Sequence, residues 1–229
     1  MAHTIQQVRN IALTGHSGSG KTCLAEGMLY CTGALNRLGR TEEGTTVSDF
    51  DPEEIERRIS LRTSLLMPEW DSHHFNVLDT PGYADFAGEV QSGLRVADGS
   101  IVVVESVSGV DVGTERAWRN AEDCRLPRVI FVNKMDRPDI DLDSVMEQIR
   151  ERFGRQAVPL QHPLNHGEGF SEIIDIVKMK LFSYTDGKTS ETDISSAHET
   201  AVQQLREQLV EAVAESDEAL MEKYFEDGG

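Results

Sequence analysis

The sequence predicts an α/β fold, a mainly parallel sheet with helices on both faces, followed by a small α+β unit. Three observations carry that expectation. Gly15-His16-Ser17-Gly18-Ser19-Gly20-Lys21-Thr22 matches the phosphate-binding loop GxxxxGKS/T and stands between the apolar run Ile11-Ala12-Leu13 and a helical stretch. Short β-branched runs then alternate with amphipathic segments as far as Phe153, a rhythm that calls for parallel strands joined by crossover helices. After Gly154 the alternation gives way to short strands and one long helix.

Residues 8–13 read as a buried strand, and residues 21–29 carry helical spacing through Leu24, Met28 and Leu29. Residues 36–59 are polar and show no sustained periodicity, which marks a mobile or functional segment. Residues 61–67 and 74–78 read as two strands joined by a short polar turn, with His73 and His74 solvated there for want of a third metal ligand at a useful spacing. Residues 101–104 and 129–132 are fully apolar, as central strands buried on both faces are. Helices are expected over 83–96, 113–124 and 142–153, with Asp139, Asp141 and Asp143 as acids at the N-terminus of the last. Beyond it, 158–160 and 173–184 read as two or three strands with turns at His166-Gly167 and Asp186-Gly187. One helix is expected over 195–225, with Val202, Leu205, Leu209, Val213 and Leu220 as its apolar stripe. The expected domains are 1–156 and 157–229.

A chain of 229 residues suffices for one large domain, or one with a small attachment. Cys23, Cys31 and Cys124 show no metal or disulfide spacing, and no signal peptide or long apolar stretch is present, so a reduced, cytoplasmic protein is expected. Cys23, in the first turn after the loop, is expected to pack against the sheet. The net charge of −18 argues against direct nucleic-acid binding or an anionic membrane, and leaves a basic protein as a possible partner. Nine acids against Arg206 and Lys223 between residues 196 and 229 read as a solvated helical face.

Three motifs then specify a ligand. In the first, Gly15 to Cys23, backbone N–H groups converge on phosphate oxygens, Lys21 reaches the terminal phosphates and the Thr22 hydroxyl is placed to ligate Mg2+. Asp79-Thr80-Pro81-Gly82 follows a strand and satisfies DxxG: Asp79 orders magnesium, and the Gly82 N–H can grip a γ-phosphate that hydrolysis removes. Asn133-Lys134-Met135-Asp136 satisfies NKxD, in which the Asp136 carboxylate accepts from two guanine donors that adenine lacks. Together they predict GTP/GDP as ligand, with an ATPase or small-molecule kinase as the remaining alternative.

With Glu42-Glu43-Gly44-Thr45-Thr46, Asp49-Phe50 and Gly113-Thr114-Glu115-Arg116-Ala117-Trp118 added, the chain resembles the GTPase domain of bacterial translation elongation factor G, and more closely the elongation factor G-like paralogues. The resemblance runs on through Ile173-Ile174-Asp175 and residues 221–225. It implies a Ras-like P-loop GTPase fold with an inserted subdomain, a monomeric switch protein of protein biosynthesis, and the ribosome as partner, with the ribosomal stalk protein as a contact of the acidic subdomain. It implies Lys21, Gly82 and Tyr83 as the catalytic set and Thr22, Ser60 and Asp79 as the magnesium set. The family's last guanine-contacting loop and its strand are not among these residues, so a fragment of a longer factor is expected, with reduced nucleotide affinity.

Three departures qualify the resemblance. Tyr83 stands where the family has His after DxxG, so the chain is either a hydrolysing switch or a GTP-gated binding module with little hydrolysis. Gly18 stands where an Asp is associated with a monovalent cation. Arg57-Arg58-Ile59-Ser60 replaces RGIT, keeping a hydroxyl at Ser60 but putting Arg where Gly is usual.

Overall fold

The first part of the chain runs β1 (Val8–Gly15), α1 (Lys21–Cys31), α2 (Pro52–Arg57), β2 (Ser64–Leu66), β3 (Glu69–Trp70), β4 (His73–Asp79), α3 (Ala87–Val96), β5 (Gly99–Glu105), α4 (Val112–Asp123) and β6 (Arg128–Asn133). In this computed structural model, which describes residues 3–185 and 187–227, Ala12 and Leu13 of β1 point to opposite faces of one sheet, as alternation along a strand requires. Both are fully buried. Leu13 packs with Ala25 and Leu29 of α1, with Leu66 and with Val77. Ala12 packs with Val90 and Leu94 of α3 and Ala121 of α4. Helices therefore cover both faces, and each fully buried Leu contributes roughly 1.5–3 kcal/mol.

The strand order is β2-β4-β1-β5-β6, with β3 also on β4. The β1–β4, β1–β5 and β5–β6 pairs are parallel, while β2 and β3 are antiparallel to β4. Register sets Leu13 beside Asp79, Gly15 beside Val103, and Glu105 beside Asn133. The three motifs thus leave the sheet along one edge, at the carboxyl ends of parallel strands, where ligands of open α/β sheets bind.

By contacts the chain divides into units 1–134 and 135–229, ahead of the change of rhythm at 156/157. The second unit contains α5 (Leu142–Phe153), β7 (Gln161–Pro163), β8 (Glu172–Asp175), β9 (Lys180–Thr185), β10 (Lys188–Asp193), α6 (Ser196–Ala214) and α7 (Glu218–Asp227). Its sheet is antiparallel, in the order β10-β9-β8-β7. Asp141 caps α5 by accepting from Ser144 N at 3.0 Å, the N-terminal role its position suggests.

Several expectations are corrected. The segment at 36–59 contains a 3-10 turn at Thr41–Glu43 and the short helix α2. A capping box starts α2: Asp51 accepts from Glu53 N at 3.0 Å, and Glu54 accepts from Asp51 N at 3.3 Å. The helix expected over 83–96 begins as a 3-10 turn at Ala84–Phe86. β6 lies at the edge of its sheet, so Val129 and Phe131 are 49% and 38% exposed rather than buried on both faces. The strand expected at 158–160 forms at Gln161–Pro163, and β10 is an addition to the expected strands. The turn at Asp186-Gly187 involves a residue outside those described. The single helix over 195–225 is broken: Ser216 Oγ donates to Val213 O at 2.7 Å, and Asp217 accepts from Ala219 N at 2.9 Å to start α7. Val202 of the expected stripe is fully buried, whereas Val213 and Leu220 are exposed. Cys23 is also exposed, because the buried face of α1 runs through Thr22, Ala25, Glu26 and Leu29.

Candidate functional site

The phosphate loop is fixed by backbone approach on two sides. Gly20 is the left-handed residue that opens α1, with φ +94, and it lies against the Asn133 side chain. Asn133 Nδ2 in turn donates to Ser19 O at 2.9 Å, so NKxD and the loop are tied together at Asn133. On the other side, Gly82 passes so close to the loop that a Cβ there would sit 2.6 Å from Ser17 Cα and 2.7 Å from Lys21 Nζ. Thr80 holds DxxG to β1 by donating Oγ1–H to Leu13 O at 2.6 Å. Pro81, Gly82 and Tyr83 line a small cavity with Gly15, Gly113 and Arg116.

Within this frame Lys21 is buried, and its ammonium donates to His16 O at 2.9 Å and Gly15 O at 3.3 Å. Burial lowers its pKa to about 8, against the opposing pull of Asp79 and Asp49. A buried cation that, among the described residues, donates to carbonyls alone is a ready receptor for phosphate charge. Lys134 is anchored separately, 2.8 Å from Glu105 Oε1, and its carbonyl accepts from Ser106 Oγ at 2.8 Å. Asp136, two residues further along the chain, is exposed.

The magnesium set is brought together in part. Thr22 Oγ1 and Ser60 Oγ lie 3.3 Å apart. Asp79 is 1% exposed, and neither carboxylate oxygen has a hydrogen-bond partner among the described residues. Burial raises its pKa to about 6, while the Thr22 and Ser48 hydroxyls and Lys21 pull it back without completing a hydrogen bond. An orphaned buried carboxylate beside two hydroxyls is the donor set a hard divalent cation such as Mg2+ takes, so the residues present fit the ion.

The sequence reasoning assigned no role to a second such acid. Asp49 is 4% exposed with both oxygens unpartnered among the described residues, and burial raises its pKa against the pull of the Ser60 hydroxyl and despite Lys21. It also left out two buried glutamates that shape the segment carrying Asp49 and Ser60. Glu26 of α1 accepts from Gly39 N at 3.0 Å and from Val47 N. Glu54 accepts from Leu61 N at 2.8 Å and Arg62 N at 3.1 Å, immediately after Ser60. Glu26 had a usable signal, a charge on the apolar face of a helix. Asp49 stands in the Asp49-Phe50 pair that helps carry the resemblance, but its burial had no signal, because that depends on how a long segment folds back.

The three departures also take a physical form. Tyr83 is 44% exposed, and its hydroxyl makes no hydrogen bond among the described residues. Gly18 has φ +81 and nothing within 4 Å of where a Cβ would stand, so only backbone conformation opposes a side chain there. Arg58 ends α2 at φ +56, the left-handed conformation that favours glycine. Among the described residues no helix is long and apolar enough to cross a membrane.

With this geometry in view, the comparisons agree on its kind. The model of the elongation factor Tu GTP binding domain matches residues 6–215. A crystal structure of a protein from Thermus thermophilus is 41% identical and superposes with a TM-score of 0.90, over 96% of this chain and 33% of that one. The present chain thus spans about a third of that protein's length. The phosphate loop, DxxG and NKxD on one sheet edge, and the family match across most of the chain, have a single consequence: the chain belongs to the elongation factor Tu GTP binding domain family, a family of GTPases, and within it is elongation factor G-like.

Proposed function

We propose that the domain is the GTP-hydrolysing switch of a monomeric, cytoplasmic, ribosome-associated factor. The observation that carries this reading is the orphaned Asp79 carboxylate, buried beside Lys21 and Thr22, whose hydroxyl lies 3.3 Å from that of Ser60, where Gly82 closes on the loop. In the proposal, backbone N–H groups of Gly15 to Cys23 and the Lys21 ammonium hold the phosphates. Thr22, Ser60 and Asp79 would hold magnesium, with Asp49 as an added carboxylate. Magnesium, when bound, supplies positive charge against the charge developing on the β- and γ-phosphate oxygens. Asn133, Lys134 and Asp136 select guanine, and the Gly82 N–H senses the γ-phosphate. Tyr83 orients the water that attacks the γ-phosphorus as its bond to the β–γ bridging oxygen breaks, and the water's proton passes to the released phosphate, giving GDP and phosphate.

The exposed, unpartnered Tyr83 hydroxyl favours a second reading, a GTP-gated binding module. A phenol can orient water but cannot supply the positive charge of an imidazolium. Single-turnover hydrolysis of the parent beside Tyr83→His separates the two: a near-zero parent with a large gain in the variant supports the module. GTP, GDP and ATP binding, and hydrolysis with and without ribosomes, test the leading reading on the full-length factor. A ribosome-independent rate would sink partner dependence. The acidic second unit is our proposed contact for the ribosomal stalk protein, and charge reversal along α6 that left stalk binding intact would remove it.

A further inference from the structure

The amino end of β4 holds a second cluster that the nucleotide chemistry does not use. Glu69 and His74 are Cα partners across the β3–β4 hairpin, so their side chains share a face. The two-residue turn between the strands, Asp71-Ser72, has φ +46 and +62, the pattern of a tight hairpin that fixes register. His3 reaches the same face from the N-terminal segment. That segment is held by a Thr4/Gln7 capping box, and Gln7 Nε2 donates to Ser72 O in the hairpin turn at 3.2 Å. His3 Nε2 lies 2.9 Å and His74 Nδ1 3.6 Å from Glu69 Oε1, and the three ligand atoms all lie within 4.8 Å of one another. His74 Nδ1 is buried and has no hydrogen-bond partner among the described residues.

We propose that His3, Glu69 and His74 form a binding site for one zinc-class divalent ion, independent of the nucleotide site. Tetrahedral zinc with bonds of about 2.0–2.1 Å sets its ligand atoms about 3.4 Å apart, and the 2.9 and 3.6 Å separations from Glu69 bracket that spacing. Two imidazoles and one carboxylate select zinc, cobalt or nickel over magnesium and calcium, which prefer oxygen donors alone. The net charge of −18 favours capture of a cation. An orphaned imidazole nitrogen aimed at a carboxylate is a cost in the metal-free fold, and coordination removes it. The site stands apart from Asp79, five residues along β4 and so about 16 Å away at a strand's rise. Bound metal would staple the N-terminal segment to the hairpin, closing the long stretch of chain from His3 to Glu69.

The test is a zinc titration of the protein against a chromophoric chelator, with Mg2+ and GDP in excess to occupy the nucleotide site. One equivalent should bind, and Glu69→Gln or His74→Gln should weaken it by at least about tenfold. His73→Gln should leave it unchanged, because the His73 ring is paired instead with Asp71 O at 2.8 Å. Cobalt substituted for zinc should give the intense absorption of a tetrahedral ion, and zinc should raise the Tm of the parent but not of His74→Gln. Retained GDP binding establishes that each variant is folded. No binding tighter than about 100 μM, the same affinity in Glu69→Gln/His74→Gln, or loss in His73→Gln would each overturn the site and leave a His–Glu hydrogen bond only.

Discussion

Replacing Asp79 by Asn should stabilise the nucleotide-free domain while abolishing its magnesium-dependent GDP affinity. Burial raises the Asp79 pKa from 3.8 to about 6, so the folded state holds that proton more tightly than the unfolded chain. The stability tied to the proton is complete below pH 3.8 and lost as pH rises through 6. Above that, the charged carboxylate costs the fold about 3 kcal/mol at 1.36 kcal/mol per pH unit, a figure already net of the Lys21 attraction. Asn carries no charge, so the variant escapes the cost at pH 7, where Lys21 is still charged. At pH 5.5 the parent escapes part of it, and the difference shrinks to about 2 kcal/mol. The buried amide of Asn adds a penalty of its own, but a constant one, so the diagnostic quantity is the roughly 1 kcal/mol change between the two pH values. Urea unfolding with EDTA at pH 5.5 and 7 measures it. A variant advantage that does not grow with pH would refute the assignment of Asp79 as an uncompensated buried charge.

Further outcomes follow from the same geometry. Glu26→Gln should speed hydrogen exchange at the Gly39 and Val47 amides by about tenfold or more, since each bond to a charged acceptor is worth about 1.5–3 kcal/mol, with α1 amides unaffected; unchanged exchange would remove the clamp. Arg58→Gly should raise unfolding free energy by about 1 kcal/mol, because Arg58 ends α2 in a left-handed conformation, and denaturant midpoints would show it. GDP binding at pH 8.5 should take up protons, since phosphate charge raises the pKa of Lys21, which stands at about 8 without it; calorimetry in two buffers of different ionisation enthalpy reads the uptake. Gly82→Ala should weaken GTP more than GDP, because its Cβ would sit 2.6 Å from Ser17 Cα, and comparative titration checks the ratio.

What the sequence conveyed was local chemistry. The phosphate loop, Asp79 and Asn133 were legible because each motif is a fixed spacing at the end of an apolar run, and the register of β1, β4 and β6 then aligns them. The helix α5 (Leu142–Phe153), with Asp141 among the acids at its N-terminus, was legible from its spacing, while the cap itself is visible only in the structure. Tertiary placement was not legible. Val129 and Phe131 look like core in sequence and lie on an edge strand, because apolar alternation does not say how many neighbours a strand has. His74 looks solvated in sequence because its partners are Glu69 across a hairpin and His3 from the N-terminal segment, and only the folded hairpin unites them. The break before α7 does leave a signal, Ser216-Asp217, which the longer apolar stripe masks.

Four carboxylates buried to 4% exposure or less surround one site, and they differ in a way that separates structure from chemistry. Glu26 and Glu54 each accept from at least two backbone N–H groups, so their charge is compensated within the protein. Each holds a stretch of the segment between α1 and β2 in place. Among the described residues Asp49 and Asp79 accept from no donor, although each stands close to hydroxyls that could turn toward it. A fold that needed them only for packing would bear an uncompensated cost that Asn or Leu would remove. Their retention is explained if the missing partner is a cation that arrives with the nucleotide. The glutamates then set where Asp49 and Ser60 stand, and the aspartates set what can bind there. Loosening Glu26 or Glu54 should therefore weaken magnesium-dependent GTP affinity without any contact to either ligand. Replacement of Glu54 by Gln, with magnesium titrated at fixed GTP, tests that chain of dependence; an unchanged magnesium midpoint would break it at the glutamate.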